Sequence, residues 1–146
     1  MENPLHETLR RALGTTFAFY LKAHGFHWNV EGPGFPQLHG LFGDIYQDSI
    51  AAVDRLAEEL RIVRSYAPGS MGRMAKLSAI EDAPATMSAA AMLEMLLADS
   101  EKVLETLQAA YNAANGAGQL GLANYLQDRM SAHQKWAWML RATARR

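Results

Sequence analysis

Cysteine is missing altogether from this chain of 146 residues. That removes disulfides, thiolate metal sites and cysteine nucleophiles together, and it is compatible with a reducing compartment. An excess of charge is missing too. Lys and Arg number 14 against 15 Asp and Glu, a net of −1, so no bulk field draws the chain to nucleic acid. No apolar run approaches the ~20 residues that a membrane-spanning helix needs. Arg10-Arg11 ahead of Ala-Leu-Gly-Thr-Thr-Phe-Ala-Phe-Tyr-Leu has the outline of a secretory leader. Lys22 and His24 follow at once, however, and no small-residue cleavage pattern appears. The segment is therefore expected to be a structural helix, and the cytoplasm the expected home. At 49% hydrophobic, the chain can bury a core, and residues 1–146 are expected to form a single domain.

What is present is helical spacing, with no β-type alternation competing anywhere. Pro4 suits an opening turn, and Leu5, Leu9, Leu13, Phe17 and Leu21 repeat down a first helix expected over Pro4 to Val30. Glu31-Gly-Pro-Gly breaks it. A second helix is expected from Phe35 to Ser65, with Leu38, Phe42, Ile45, Ser49, Val53, Leu56 and Leu60 on one side. A long connection runs from there to about Pro84, with a short helix expected over Met74 to Leu77. Ser88 is a suitable N-cap for a third long helix, to Ala114, striped by Met92, Leu93, Leu96, Val103, Leu104 and Leu107. Asn115-Gly-Ala-Gly turns the chain into a fourth, Leu120 to Thr143. Short links within each helix pair and a long crossover between the pairs describe an all-α, ferritin-like four-helix bundle.

Histidine is scarce, with five in the chain, and three of them, His24, His27 and His39, fall within sixteen residues of one another. Asp54 and Glu58 follow on the second helix. Imidazole and carboxylate together form a ligand inventory for a borderline metal such as iron or zinc. His39 and Asp54 are fifteen residues apart, about 22 Å along a helix, so one metal cannot take both from the same copy. They can share a site if a second copy lies antiparallel, crossing near Tyr46 to Asp48, which points to a two-fold dimer. Two plainer readings stand beside this one: Asp54 and Glu58 as a solvated face paired with Arg55 or Arg61, and Trp28 as packing.

The same segment closely resembles the Dps family of mini-ferritins. That family's His-x-x-His-Trp-Asn-x-x-Gly stands here as His24-Gly-Phe-His27-Trp28-Asn29-Val-Glu-Gly32, its Leu-His as Leu38-His39, and its Asp-x-x-x-Ala-Glu region as Asp54-Arg-Leu-Ala-Glu58. Near the end, His133-Gln134-Lys135-Trp-Ala-Trp138-Met139-Leu140-Arg141 is similar to its closing His-Glu-Lys-x-x-Trp-Met-Leu-Arg. The Glu-x-x-His pairs of larger ferritins are absent, which disfavours a di-iron centre inside one bundle. The resemblance implies a hollow dodecamer that oxidises ferrous iron with hydrogen peroxide or oxygen and stores the ferric product. It implies a site in which His27 and His39 of one subunit meet Asp54 and Glu58 of its partner, with Trp28 placed to lend an electron.

Three departures qualify that expectation. Where the family usually has an aspartate four residues after the second histidine, this chain has Gly43. Asp44 is adjacent but rotated by about 100° on a helix. A slower ferroxidase is therefore expected, or in the alternative a ferroxidase-impaired cage with a structural or DNA-associating role. Asn115, Leu120 and Asn124 stand where acidic pore residues are common, Gln134 where glutamate is common, and Asp128 is the only acid after Glu105, so steering of cations by that route is expected to be poor. No basic residue precedes Arg10, while Arg141, Arg145 and Arg146 close the chain, leaving at most weak, salt-sensitive DNA contact. A third possibility is an isolated bundle that binds zinc or another divalent ion without turnover.

Overall fold

A computed structural model describes residues 3–145; of the terminal arginines weighed for DNA contact, Arg146 lies outside them. The first helix, α1 (Pro4–Asn29), starts as its sequence suggests. Pro4 occupies the opening turn, and the Asn3 side chain accepts from the Leu5 N–H at 2.9 Å, satisfying one of the donors a helix start leaves orphaned. Leu5, Leu9 and Leu13 are buried as expected, but Phe17 is half-buried and Leu21 is 46% exposed. A row of i+4 steps drifts about 40° around the helix at each step. Phe19, Ala23 and Phe26 therefore take over the buried side.

Residues 30–34 reverse the chain into α2 (Phe35–Ile62). This helix stops three residues short of the expected Ser65 because Arg64 adopts a left-handed conformation (φ 68°). That turn sends the Ser65 N–H back to the Leu60 carbonyl at 2.9 Å and the Arg64 N–H to Arg61 at 3.0 Å, the paired bonds of a Schellman ending. The crossover carries α3 (Met71–Leu77), which begins three residues earlier than expected because Ser70 caps the Arg73 N–H. Ser88 caps α4 (Ala89–Gly116) as expected, and a three-residue turn leads to α5 (Leu120–Ala144).

Among the described residues the structure is wholly helical. α1 packs against α2 and α4, α4 against α5, and α2 touches α5, so the four long helices enclose one core of Leu9, Leu13, Phe19, Phe42, Ile45, Leu56, Leu96, Leu107 and Leu126, among others. Among the same residues no helix is long and apolar enough to cross a membrane. The crossover is fastened to α1 at three points. A Cβ placed on Gly14 would lie 2.6 Å from the Leu77 Cβ, so the missing side chain is what admits α3 to this distance. The Ala79 N–H donates to the Thr15 hydroxyl at 2.9 Å. Lys22 donates to the Glu81 carbonyl and pairs with Asp99, both at 2.5 Å, with 6% of its side chain exposed.

Polar groups also tie α2 to α5. Asp48 accepts both guanidinium N–H groups of Arg129 and the Trp136 indole N–H, each at 2.9 Å. Behind this pair, His133 is fully buried, its Nδ1 3.1 Å from the Ser100 hydroxyl. Burial, with the positive charge of Arg129 beside it, pushes the His133 imidazole down to about 3, so it is neutral in the folded chain.

Candidate metal centre

The last turns of α1 and the first turns of α2 lie side by side because only five residues separate the two helices. This brings together residues twelve apart in sequence. The imidazoles of His27 and His39 stack with centroids 3.7 Å apart and planes 17° from parallel. His27 Nδ1 lies 2.7 Å from the His39 main-chain oxygen, and His39 Nδ1 lies 2.7 Å from that of His27. A carbonyl oxygen can only accept, so each Nδ1 carries the proton and donates it. The main-chain oxygen of each residue thus fixes the other's tautomer and leaves both Nε2 lone pairs out of these bonds, the arrangement in which a histidine ligates a metal. Phe35 stacks beside His39 at 5.1 Å.

Gly43, one turn after His39, is buried against this pair. A Cβ built on it would be 3.1 Å from His27 Nδ1 and 3.3 Å from Cε1. Neighbouring Asp44 is exposed, as its rotation about the helix requires.

His24, one turn before His27, lies in a second stack. Its ring is parallel to Tyr46 at 3.8 Å and 4°, is covered by Trp28 at 4.1 Å, and takes the Tyr20 hydroxyl at 3.1 Å. Burial, followed by the charge of His27, lowers its pKa. Trp28 is 60% exposed, so burial in its own chain's core is not its task. The involvement of Tyr20 and Tyr46 was missed from the sequence, although Tyr20, His24, His27 and Trp28 follow the four- and three-residue steps that line one helix face.

Asp54 and Glu58 do not join the histidines. Both are exposed on the same helix as His39, and among the described residues no three or more His, Asp or Glu gather into a metal-holding group within one chain. Arg55 pairs with Glu59 at 2.9 Å and lies over the Tyr125 ring, while Arg61 lies over Tyr66. Neither Asp54 nor Glu58 takes a hydrogen bond or ion pair among the described residues, although the charge of Glu58 is felt by Arg55. Away from the histidines, Asn115, Leu120 and Asn124 are exposed around the α4–α5 turn, Leu120 by 70%. Arg141 and Arg145 are exposed at the end of α5.

Comparison with known proteins gives one answer. The ferritin-like domain family matches residues 6–146. A DNA protection during starvation protein of Bacillus anthracis is 28% identical over 97% of both chains. The crystal structure of a Dps protein from Bacillus brevis superposes with a TM-score of 0.92 at 27% identity, covering 99% of this chain and 100% of that one. A Dps structure from Vibrio cholerae, described as belonging to a broad superfamily of ferritin-like diiron-carboxylate proteins, superposes at 0.91 with 25% identity, over 97% of this chain and 89% of that one.

Proposed function

This chain belongs to the Dps family of ferritin-like proteins, and on that premise we propose that it oxidises ferrous iron, with hydrogen peroxide or oxygen as oxidant, and stores the ferric product in a dodecameric cage of about 190 kDa built from 16.1 kDa chains. Iron storage and ferroxidase-type chemistry are the functions the family carries; the particulars are our reading. The observation that carries it is the divided ligand set. His27 and His39 hold each other with Nε2 free, and Asp54 and Glu58 stand without a hydrogen bond about 22 and about 28 Å beyond His39 along α2. An antiparallel partner crossing near Tyr46 to Asp48 brings the two halves of two such sets together, giving two equivalent sites per dimer.

Iron is the substrate of this site. The neutral imidazoles hold it as the divalent ion, and the two carboxylates of the partner favour the charge gained on oxidation. Peroxide takes two electrons and two protons to become two waters. With Gly43 supplying no ligand, a single ferrous ion supplies one electron, the exposed indole of Trp28, one residue from His27, lends the other, and the next ferrous ion to bind restores the indole, so that two ferrous ions are spent per peroxide. Oxidation is therefore slower than at a site that holds two ferrous ions. The protein acts in the cytoplasm.

A second reading has its own observations: Gly43 in place of a carboxylate and an uncharged α4–α5 turn favour a cage with impaired oxidation and a structural or DNA-associating role. Ferrous oxidation by purified protein, with peroxide and oxygen compared and an Asp54→Ala/Glu58→Ala double variant alongside, separates the two. Peroxide-driven oxidation that leaves ferric iron soluble and collapses in the double variant supports the ferroxidase. A rate no faster than buffer removes that reading and leaves the second. Mass settles the remaining alternative, a lone 16.1 kDa bundle binding zinc without turnover.

A further inference from the structure

We propose that Gly43 is a positioning residue: its missing side chain leaves the His27 ring room to sit against α2, where its Nδ1 reaches the His39 carbonyl. The proposal rests on the reading above that this pair binds ferrous iron, and it changes what the glycine means. In place of a carboxylate simply lost, Gly43 becomes a requirement of the site this chain does have.

The geometry is specific to the atom that matters. A Cβ at position 43 would meet His27 Nδ1 at 3.1 Å, tighter than ordinary van der Waals contact. That nitrogen is the one that donates to the His39 carbonyl at 2.7 Å. The ring that must give way is stacked on His39, whose own Nδ1 donates to His27's carbonyl. Moving the His27 ring therefore loosens its own bond to His39 and disturbs the stack, while the His39 bond, which runs to the His27 main chain, stays. Gly40, also on α2 and one residue from His39, is the natural contrast, because a Cβ there meets nothing within 4 Å. A glycine in a helix interior is unfavourable relative to alanine, and of the two only Gly43 has a packing reason.

Two consequences follow. An aspartate at position 43 brings a Cβ that makes the His27 ring give by a few tenths of an ångström, so a carboxylate restored there comes with a shifted His27. This subunit's contribution is then two neutral nitrogens and no charge, with all the negative charge coming from Asp54 and Glu58 of the other copy. Such a set holds divalent ions in general, ferrous iron among them, and Co2+ is a usable probe.

The test has a readout that does not depend on turnover. Metal-free protein carrying 15N-histidine is sedimented, and its imidazoles are read by solid-state NMR, with single His→Gln variants for assignment. Wild type is expected to show His27 and His39 protonated at Nδ1. In Gly43→Ala the His27 tautomer is mixed or lost while that of His39 stays, and Co2+ affinity, followed by its visible spectrum, falls about tenfold or more, the size of effect seen when a ligand's supporting partner is removed. Gly40→Ala changes neither, and Gly43→Asp oxidises iron no faster than wild type. Wild-type rings protonated at Nε2 would overturn the proposal without recourse to any variant, so a Gly43→Ala protein that fails to fold does not shelter it. So would a Gly43→Ala protein with the wild-type tautomers and a Co2+ affinity within about twofold, or a Gly43→Asp protein that gains an ion and a faster rate. Wild type that shows the lock, binds Co2+ and loses both in Gly43→Ala, yet oxidises no iron, upholds the positioning role and removes the ferroxidase reading.

Discussion

His133 shows how a single side chain links fold to pH. Unfolded, its imidazole titrates near the ordinary 6.5; folded, burial holds it neutral down to about 3. Between those values the unfolded chain binds a proton that the folded chain refuses, so the slope of stability with pH is positive there. The contribution is complete above about pH 6.5 and is lost as pH falls toward 3, at about 1.4 kcal/mol per unit. Asp48 acts in the same direction lower down. Burial alone would raise its carboxyl, but hydrogen bonds from Arg129 and Trp136 hold it below its ordinary value, so its contribution is lost only as pH falls through the carboxylate range. Denaturant unfolding at fixed protein concentration is expected to be flat from pH 8 to 7 and to weaken steadily below 6. In a His133→Gln variant, whatever its absolute stability, the slope between pH 6.5 and 4 should flatten. A slope that survives the substitution would assign the effect to other groups.

Among the elements, α3 and its crossover depend on one glycine of α1. A methyl group at position 14 cannot coexist with Leu77 Cβ at 2.6 Å, the Met74 oxygen at 3.0 Å and the Leu77 carbonyl carbon at 3.2 Å, and the last two are backbone atoms that cannot swing aside. Gly14→Ala is expected to cost about 1–3 kcal/mol, as other overpacked positions do, despite the gain in helix propensity. Hydrogen exchange should speed up over residues 71–80 and stay slow in the core-facing turns of α4; equal acceleration in both would mean that the crossover is no separate fastening. This dependence was not legible in the sequence, since a glycine inside a helical pattern does not announce its neighbour. Other elements were legible to within a residue or two: Pro4, Ser88 and the Asn115-Gly-Ala-Gly turn each carry their mechanism in their side chains. The end of α2 did not, because Arg64 adopts a conformation that glycine usually marks. Of the proposed ligands, His39, Asp54 and Glu58 stood out by residue type and spacing, and the choice of His27 came from the family resemblance. The reciprocal bonds were invisible, because they run to main-chain oxygens that every residue has, and Gly43 read as a missing ligand until the ring against it was seen.

At the scale of the whole molecule, the divided ligand set makes a prediction that neither half makes alone. Take one variant lacking the histidines, His27→Ala/His39→Ala, and another lacking the carboxylates, Asp54→Ala/Glu58→Ala. Each homodimer has no complete site. In a heterodimer, one interface site combines the two damaged halves, while the other combines the intact carboxylates of the first chain with the intact histidines of the second. Random pairing at equal expression makes half the dimers mixed, and each mixed dimer has one complete site of two, so co-expressed protein should recover about one quarter of the wild-type sites. Co2+ titration and peroxide-driven iron oxidation should both report that fraction, whereas protein mixed after separate folding should recover less, to the extent that subunits do not exchange. A site contained within one chain recovers nothing on mixing, because every chain is damaged. Recovery of about a quarter in Co2+ binding without recovery of oxidation would separate the two halves of the argument: the ligands would meet across the two-fold, and the imidazole-only contribution that Gly43 imposes would be too poor to drive iron to the ferric state.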